Sequence, residues 1–298
     1  MALQQAYQQV YPKTVIIPGE SYLSPAFASG ENIFCAFDAA DTLQGYAALV
    51  PNFAVAKGVP HTVWTGIKVY PSLASPRPLQ NALFQKVVHR AGEITRPLPG
   101  HETRLTFQHH ASESAVIEYV KSQGCAYRES IFHMGCDLYP ELQVFPIPAG
   151  INLHYSAMDD IVEQEAYVAA RNEAFPASAT TLEGWQYFFQ AFIREKGKVI
   201  VADDGRQLAG SILVYWDEVL NRRLGIILGT IGYVFVREGW RKHGLAAGML
   251  GFGLKYLKEQ GFKSADLEVY ASNRRALGLY ERLGFKVIDE TQLFVLKL

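Results

Sequence analysis

The chain has 298 residues, which is long for one domain and sufficient for two. Its 28 basic and 29 acidic side chains give a formal net charge of −1, which argues against nucleic acid or an anionic membrane as the main partner. Hydrophobic residues make up 49% of the chain, but charges or glycines interrupt every long apolar run. We therefore expect buried cores and no membrane span.

The cysteines and the first residues of the chain indicate the cellular compartment in which the protein folds. Cys35, Cys125 and Cys136 are widely spaced and match neither a disulfide framework nor a metal-binding spacing. The chain starts without a basic region followed by an apolar segment, so we expect no secretory signal. Together these features predict a reducing, cytoplasmic environment.

Prolines interrupt the first 30 residues, which predicts a loop-rich segment. Alternating and helical patterns follow it. The predicted strands of this half are 32–37, 43–50, 61–69, 104–108 and 127–138. The predicted helices are 78–94 and 112–123.

A proline-rich passage at 139–150 predicts a linker, because proline opposes both helix and sheet bonding. We therefore predict two domains, at 1–145 and 151–298. The predicted strands of the second are 152–156, 198–202, 207–216, 224–236, 264–270 and a C-terminal strand pair. Its predicted helices are 160–175, 181–196, 244–260 and one that starts at Asn273.

The two halves resemble each other. The order of strands and helices is the same, and an Asp-turn-Leu-x-Gly pattern recurs at 38–45 and 203–210. This predicts two copies of one α/β fold with a mixed sheet in each. The alternative is two unrelated α/β halves.

One stretch of the second half suits a phosphate group. An apolar strand at 231–236 leads through a polar turn into a helix with Gly244 and Ala246 at its start. A helix N-terminus presents unpaired N–H groups and a partial positive charge, and small residues allow close approach of an anion. Arg241, Lys242 and His243 add side-chain donors. The pattern is neither a P-loop nor a dinucleotide fingerprint.

The pattern Arg241-x-x-Gly244-x-Ala246 after a strand ending in Val resembles the coenzyme A pyrophosphate loop of the GNAT superfamily of N-acetyltransferases. A second block is also similar: Asn273 opens a helix that runs into Leu-Gly-Phe at 283–285. The resemblance covers about residues 151–298. Taken with the repeat of the two halves, it implies two tandem GNAT-like domains. A glycine-rich turn in an unrelated α/β protein is the alternative.

The first copy departs from this pattern. Arg77 stands where the second copy has Gly244, and Pro78 follows it. Proline has no N–H to offer, and the Arg77 side chain occupies the place where phosphate would approach the backbone. We therefore expect a degenerate copy that does not bind coenzyme A in the manner of the family.

The resemblance implies roles for particular residues. Tyr280 would protonate the departing thiolate, although its apolar helical stripe is equally compatible with a place in the core. Asn273 would bind the pantetheine or phosphate arm, or only cap its helix. The backbone of the strand end would hold the acyl carbonyl. The implied cofactor-binding residues are Phe235, Val236, Arg241, Lys242, His243, Gly244, Leu245, Ala246 and Asn273.

The general base is left open. Many members of the family carry Glu where this chain has Gly232. The polar candidates are Thr230, Tyr233, Glu173 and Glu218, and water is a further route for the proton. The helices between 160 and 196 are expected to line the acceptor pocket, with Asn172, Glu173 and Phe175 as candidates for its wall.

The resemblance implies an N-acetyltransferase that moves an acetyl group from acetyl-CoA, a co-substrate, to a primary amine of a small molecule. The alternatives are a non-catalytic coenzyme A-binding or regulatory module and a transferase for another acyl-CoA. His101, His109 and His110 lack matching Cys or Asp spacing, so we expect no metal. The acceptor, the acyl group and the oligomeric state are not specified by the sequence.

Overall fold

The computed structural model describes residues 2–12, 14, 22–23, 25–54, 57–98, 100–139, 141–143 and 145–298, apart from the side chains of residues 177, 191, 192 and 223. Within these ranges the α-helices are α1 (Ala2–Val10), α2 (Pro76–Thr95), α3 (Ser114–Ser122), α4 (Ile161–Ala174), α5 (Leu182–Phe188), α6 (Glu218–Leu224), α7 (Leu245–Glu259) and α8 (Arg274–Arg282). The strands are β1 (Ile33–Phe37), β2 (Leu43–Asn52), β3 (His61–Val69), β4 (Thr103–His110), β5 (Ala126–Asp137), β6 (Asn152–Ser156), β7 (Gly197–Asp203), β8 (Leu208–Tyr215), β9 (Leu228–Val236), β10 (Ser264–Tyr270) and β11 (Lys286–Lys297).

The chain divides into two compact units. The first comprises Met1–Ser130 and Glu290–Leu298, and the second comprises Ile131–Asp289. In the first unit the strand order is β1-β2-β3-β4-β11. The β3–β4 pair is parallel and the other pairs are antiparallel. A crossover helix, α2, makes the parallel connection, as such a pairing requires.

The second unit repeats this plan. Its strand order is β6-β7-β8-β9-β10-β5. The β9–β10 pair is parallel, with α7 as its crossover, and the remaining pairs are antiparallel. The predicted α/β fold with a mixed sheet is therefore present in two copies.

The compact units differ from the predicted ranges 1–145 and 151–298 at two places. Residues 131–145 lie in the second unit, and residues 290–298 lie in the first. Backbone pairing is the reason: β11 pairs with β4 from Thr291↔His110 to Lys297↔Arg104, whereas β5 pairs with β10. Each copy thus completes its sheet with a strand from the sequence range of the other. The predicted ranges remain a proposal for the two sequence copies.

In each unit, the crossover helix packs its apolar face into the core. In the first unit, Leu83, Phe84, Val87 and Ala91 of α2 are buried in one cluster with residues of β2, β3 and β4. This is the spacing of one helical face. In the second unit α7 buries its apolar face on one side of the sheet, and α4 and α5 cover the other side.

Four elements differ from the sequence prediction. The strand predicted at 224–236 is β9 preceded by α6, and Gly225, the C-cap of α6, has a left-handed conformation (φ 66°). The predicted helix at 181–196 is α5 followed by a π-helical turn at 189–193. The predicted C-terminal strand pair is a single strand, β11. The loop-rich segment at 1–30 contains α1, which buries Leu3 and Tyr7.

None of the helices in the described ranges is both long and apolar enough to cross a membrane.

Candidate active site

The end of β9 carries a β-bulge. Ser211 pairs with Phe235 and Leu213 pairs with Gly232, so β9 has one residue more than β8 in this interval. Tyr233, inside the interval, has a positive φ of 51°. A bulge of this kind re-aims backbone groups and is frequent next to active sites. The bulge in β9 turns the last residues of this strand toward a cleft.

The parallel strands β9 and β10 separate beside the bulge. Their described pairing ends at Thr230 and Asp266, although β9 continues to Val236. The helix α8 follows β10, and the loop to α7 follows β9. The cleft therefore opens at the carboxyl ends of two parallel strands, which is where α/β folds commonly bind ligands.

The loop between β9 and α7 is shaped by two left-handed residues. Lys242 has a φ of 68° and Gly244, the N-cap of α7, has a φ of 84°. A positive φ at a lysine is unusual, and such conformations concentrate at ligand sites. Gly244 has no side chain to accept from the first turn of α7, and a Cβ at this position would meet open space. The N–H groups of that turn thus remain available to a ligand.

The cleft has a volume of about 540 Å³. Most of the predicted cofactor-binding residues line it, together with the predicted catalytic residue. The lining residues from the prediction are Phe235, Val236, Arg241, Lys242, Gly244, Leu245, Ala246, Asn273 and Tyr280. His243 does not belong to this lining; it lies in a neighbouring cavity with Gly239 and Asp204.

The cleft is strongly basic. Arg241, Lys242, Arg275 and Arg282 line it, and its described lining contains no acidic side chain. The sequence reading missed Arg275 and Arg282. Their seven-residue spacing along α8, with Leu279 between them, places all three on one helical face and could have indicated them. This charge suits a ligand that carries several phosphates.

Two arginines stabilise the loop. The Nε of Arg241 donates to the carbonyl oxygen of Val236 at 2.8 Å, which ties the loop to the end of β9. Arg237 pairs with Glu173 at 2.9 Å. Glu173, a candidate for the base and for the pocket wall, is therefore engaged in an ion pair.

Tyr280 lies in the core and also lines the cleft, and its role as a proton donor remains a prediction. Its side chain is 7% exposed and belongs to the core cluster of the second unit, and it also lines the cleft. Burial raises the pKa of its phenol to about 12. The hydroxyl is therefore protonated at neutral pH and can donate a proton or a hydrogen bond.

Asn273 caps α8. Its Oδ1 accepts from the backbone N–H of Ala276 at 3.2 Å, and the residue also lines the cleft. The cap uses the amide oxygen. A hydrogen bond from the amide nitrogen to a ligand remains a prediction.

A tyrosine occupies the space beside Gly232. A Cβ on Gly232 would lie 3.2 Å from Cε1 of Tyr215 and 3.4 Å from its hydroxyl oxygen. A glutamate there would collide with the ring unless it moved. Burial, with the charges of Tyr233, Asp266 and Glu268, raises the pKa of Tyr215, so this phenol is a poor base.

Asp266 is a buried carboxylate that the sequence reading missed. It is 6% exposed and pairs in register with Thr230, and its Oδ1 has no hydrogen-bond partner among the described residues. Burial raises the pKa of this carboxyl, against the opposing effect of a hydrogen bond from Thr230. Alternation along β10 did not indicate it, because a charged residue in a strand usually faces solvent.

The other candidates for the pocket wall take different places. The side-chain amide of Asn172 bonds both backbone groups of Thr180, at 2.8 and 2.9 Å, and so fixes a loop. Phe175 lines the cleft. Glu218, a candidate for the base, lies in the first turn of α6.

The described residues contain no group of three or more His, Cys, Asp or Glu side chains that could hold a metal ion. The absence of a metal remains a prediction.

The second unit thus combines a mixed α/β sheet with a basic cleft at the carboxyl ends of two parallel strands. Residues 164–285 match the model of the acetyltransferase (GNAT) family. The resemblance inferred from residues 241–246 and 273–285 is confirmed.

Solved structures extend the fold to the whole chain. A GCN5-related N-acetyltransferase from Sphaerobacter thermophilus superposes with a TM-score of 0.73 at 21% identity, covering 99% of this chain and 90% of that one. A tandem GNAT protein from the clavulanic acid biosynthesis pathway superposes with a TM-score of 0.63 at 16% identity, covering 87% and 81%. These likenesses confirm the predicted tandem GNAT fold.

Curated relatives match part of the chain. A mycothiol acetyltransferase from Propionibacterium freudenreichii subsp. shermanii is 24% identical over 148 residues, which is 48% of this chain and 45% of the relative. A mycothiol acetyltransferase from Streptomyces avermitilis is 28% identical over 175 residues, 54% of each chain. The chain thus matches these relatives over about half of their length.

Proposed function

We propose that the second unit binds acetyl-CoA in the basic cleft and transfers the acetyl group to a primary amine of a small molecule. The supporting observation is the convergence of the α7 N-terminus with four cationic side chains and no acidic one in the described lining. A diphosphate accepts hydrogen bonds from backbone N–H groups at such a terminus, and arginines bind further phosphate oxygens.

The reaction forms a C–N bond and breaks the C–S bond of the thioester. Backbone N–H groups at the bulged end of β9, at Phe235 and Val236, would polarise the acyl carbonyl. Tyr280 would donate a proton to the departing sulfur. The amine must be neutral to attack, and its proton would leave through solvent. No side chain is assigned as the base.

A small acceptor is supported by the partial relatives, which are named mycothiol acetyltransferases. Phe175, at the end of α4, is the wall residue from the acceptor prediction that reaches the cleft.

The test is thiol release by the full-length protein from acetyl-CoA over a panel of small primary amines, with calorimetry of acetyl-CoA binding. Binding together with amine-dependent thiol release would support the proposal. Succinyl-CoA and longer acyl-CoAs, run in parallel, would identify another donor. Absence of acetyl-CoA binding would contradict it.

A non-catalytic coenzyme A-binding module is the second candidate. Tyr215 fills the space beside Gly232, where many members of the family carry a glutamate, and this observation favours it. Tight binding without turnover of any amine would support this candidate.

A further inference from the structure

The second unit contains a buried arginine without an acidic partner among the described residues. Arg171, in the last turn of α4, is 7% exposed. Its Nη1 donates to Oδ1 of Asn172 at 3.2 Å and to the carbonyl oxygen of Ser178 at 2.8 Å, and both acceptors are neutral. Burial lowers the pKa of this guanidinium, and no carboxylate in the described part of the chain opposes that effect. Because an unpaired charge is costly in a protein interior, this side chain calls for an anionic ligand.

Two nitrogens of this guanidinium remain available to a ligand. The hydrogen bonds of Arg171 to described residues use Nη1, which leaves Nε and Nη2 without a partner among them. Neither nitrogen belongs to the fully buried side-chain atoms that lack a partner, so solvent reaches both. The N–H groups of Nε and Nη2 form one side of a planar fork whose geometry matches the two oxygens of a carboxylate.

Two aromatic rings hold the guanidinium in place. Its Cζ lies 5.4 Å from the ring centroid of Tyr233 and 5.8 Å from that of Phe175. Such contacts attract a cation but do not neutralise it. Tyr233 belongs to the bulge of β9, and Phe175 lines the basic cleft. The arginine is therefore in contact with the cleft wall and with the bulge, near which the acyl carbonyl would be polarised.

Carboxylates of β10 lie on the same side of the sheet as this arginine. Ala265, Leu267 and Val269 are buried in the core cluster that contains the apolar face of α7. Asp266 and Glu268 alternate with them along the strand, so they face the other side, which α4 and α5 cover. The side chain of Glu268 is 60% exposed and accessible to a ligand.

The Tyr233 phenol is close to both kinds of charge. Burial raises its pKa, the positive charge of Arg171 lowers it, and the negative charge of Glu268 raises it further. Because charge interactions weaken with distance, both side chains lie near this phenol. A ligand beside Tyr233 would therefore have a guanidinium and a carboxylate within reach.

These charges restrict the ligand. One guanidinium balances a single negative charge, so it suits a carboxylate better than a phosphate group, which carries about two charges at neutral pH. Glu268 opposes a second negative charge and favours an ammonium group. The complementary ligand is a small zwitterion that has an amine and a carboxylate close together.

We propose that the acceptor of the second unit is an amino acid or a similar small amine that carries a carboxylate. Its carboxylate binds Nε and Nη2 of Arg171, and its amine lies toward Glu268 and the bulge of β9. The role as acceptor rests on the proposed acetyl transfer, whereas binding of the amino acid requires no turnover.

The probes are L-leucine, L-leucinamide, which lacks the carboxylate, and 4-methylpentanoate, which lacks the amine. Full-length protein with isotope-labelled arginine is titrated with each, and the side-chain resonances of Arg171 are followed by NMR. We expect leucine to shift these resonances and to bind about tenfold or more tightly than either analogue, the effect of a charge-assisted hydrogen bond. No binding of leucine, or equal affinity for leucine and leucinamide, would overturn the proposal.

Variants locate the carboxylate site. Arg171→Gln removes the charge and should abolish the preference for leucine over leucinamide, whereas the exposed Arg194→Gln should retain it. Arg171→Lys keeps the charge without the fork and should reduce the preference, and it serves if Arg171→Gln fails to fold. A preference that survives both substitutions of Arg171 would place the carboxylate elsewhere and reject this site.

Thiol release separates this inference from the proposed function. A preference for leucine in a protein that does not bind acetyl-CoA would support the amino-acid site and contradict the proposed function. Thiol release from acetyl-CoA with the same kcat/KM for leucine and leucinamide would support acetyl transfer and overturn the carboxylate site.

Discussion

At the scale of single residues, Tyr280 shows that a buried core position and a place in the wall of a cleft are compatible. Its ring packs near Phe285, with 6.1 Å between the ring centroids, while its side chain also lines the cleft. Packing holds the ring, and burial keeps the hydroxyl protonated. Rigid support of this kind is what a proton donor needs.

Replacing Tyr280 with Phe should lower kcat by about a hundredfold or more, the usual contribution of one general acid. The affinity for coenzyme A should change by less than about twofold, because the ring and its packing remain. Steady-state thiol release and calorimetry measure the two quantities. Tyr256→Phe, on α7 outside the described cleft lining, is the matched control. An unchanged kcat would remove Tyr280 from the mechanism.

Asp266 should make stability depend on pH. Burial raises the pKa of its carboxyl above the ordinary value of 3.8, so the folded protein holds this proton more tightly than the unfolded chain does. The group therefore stabilises the fold below that ordinary value, and its contribution is lost as the pH rises through the raised pKa.

Asp266→Asn removes this titration. The free energy of unfolding of the variant relative to the natural protein should increase as the pH rises above about 4. Urea denaturation at several pH values measures it, and the exposed Asp159→Asn is the control. A difference that is constant with pH would show that Asp266 does not titrate in this way.

At this scale, the sequence did not reveal features that depend on side-chain contacts between strands. The loop motif predicted most of the cleft lining, because consecutive residues from 241 to 246 share one local structure. The ring of Tyr215 beside Gly232 and the burial of Asp266 depend on neighbouring strands whose register no local pattern encodes. The chemical roles of the lining residues remain predictions.

At the scale of elements, the start of α7 is the feature on which coenzyme A binding would depend. Ala246 lies at the second helical position and lines the cleft. Aspartate there stabilises the N-terminus of a helix but repels a phosphate bound to it. Helix stability and anion affinity should therefore change in opposite directions.

We expect Ala246→Asp to weaken coenzyme A binding by about tenfold to a hundredfold while leaving the melting temperature unchanged or higher. Ala246→Asn has nearly the same shape without the charge and should weaken binding much less. Calorimetry at low and high salt measures the affinities, and the gap between the variants should shrink as salt increases. Equal effects of Asp and Asn would indicate a steric cause.

Elements were predicted correctly where apolar and polar residues follow a regular pattern, and incorrectly where apolar residues continue without interruption. Because residues 224–236 are apolar almost throughout, they were predicted as one strand. In the structure α6 ends at Leu224 and Gly225 turns the chain. The helix α1 was missed because prolines follow it closely. Its buried face includes the apolar residues Leu3 and Tyr7, which are too few to show a helical period in the sequence.

At the scale of the molecule, the exchange of strands assigns the last residues to the first unit. Phe294 of β11 is fully buried in the core of the first unit, although every other buried residue of that cluster lies between positions 47 and 125. The hydrophobic pattern predicted a pair of strands here and indicated neither the single strand β11 nor its partner β4, because pairing between distant segments leaves no local trace.

Phe294→Ala should destabilise the first unit by about 3–5 kcal/mol. Hydrogen exchange should accelerate in β3 and β4, with a smaller effect in β8 and β9. Val287→Ala, at a position of the same strand that is 49% exposed, is the matched control. Faster exchange confined to β8 and β9 would instead assign Phe294 to the second unit.

The route of the chain has a practical consequence for dissection of the molecule. Because Ile131–Asp289 is inserted between the two parts of the first unit, no single cut releases both units intact. Cleavage at the proline-rich passage would leave each fragment with an unpaired sheet edge, which is a site for aggregation or for re-association of the fragments. Fragments produced together should therefore recombine, whereas either one alone should be poorly soluble.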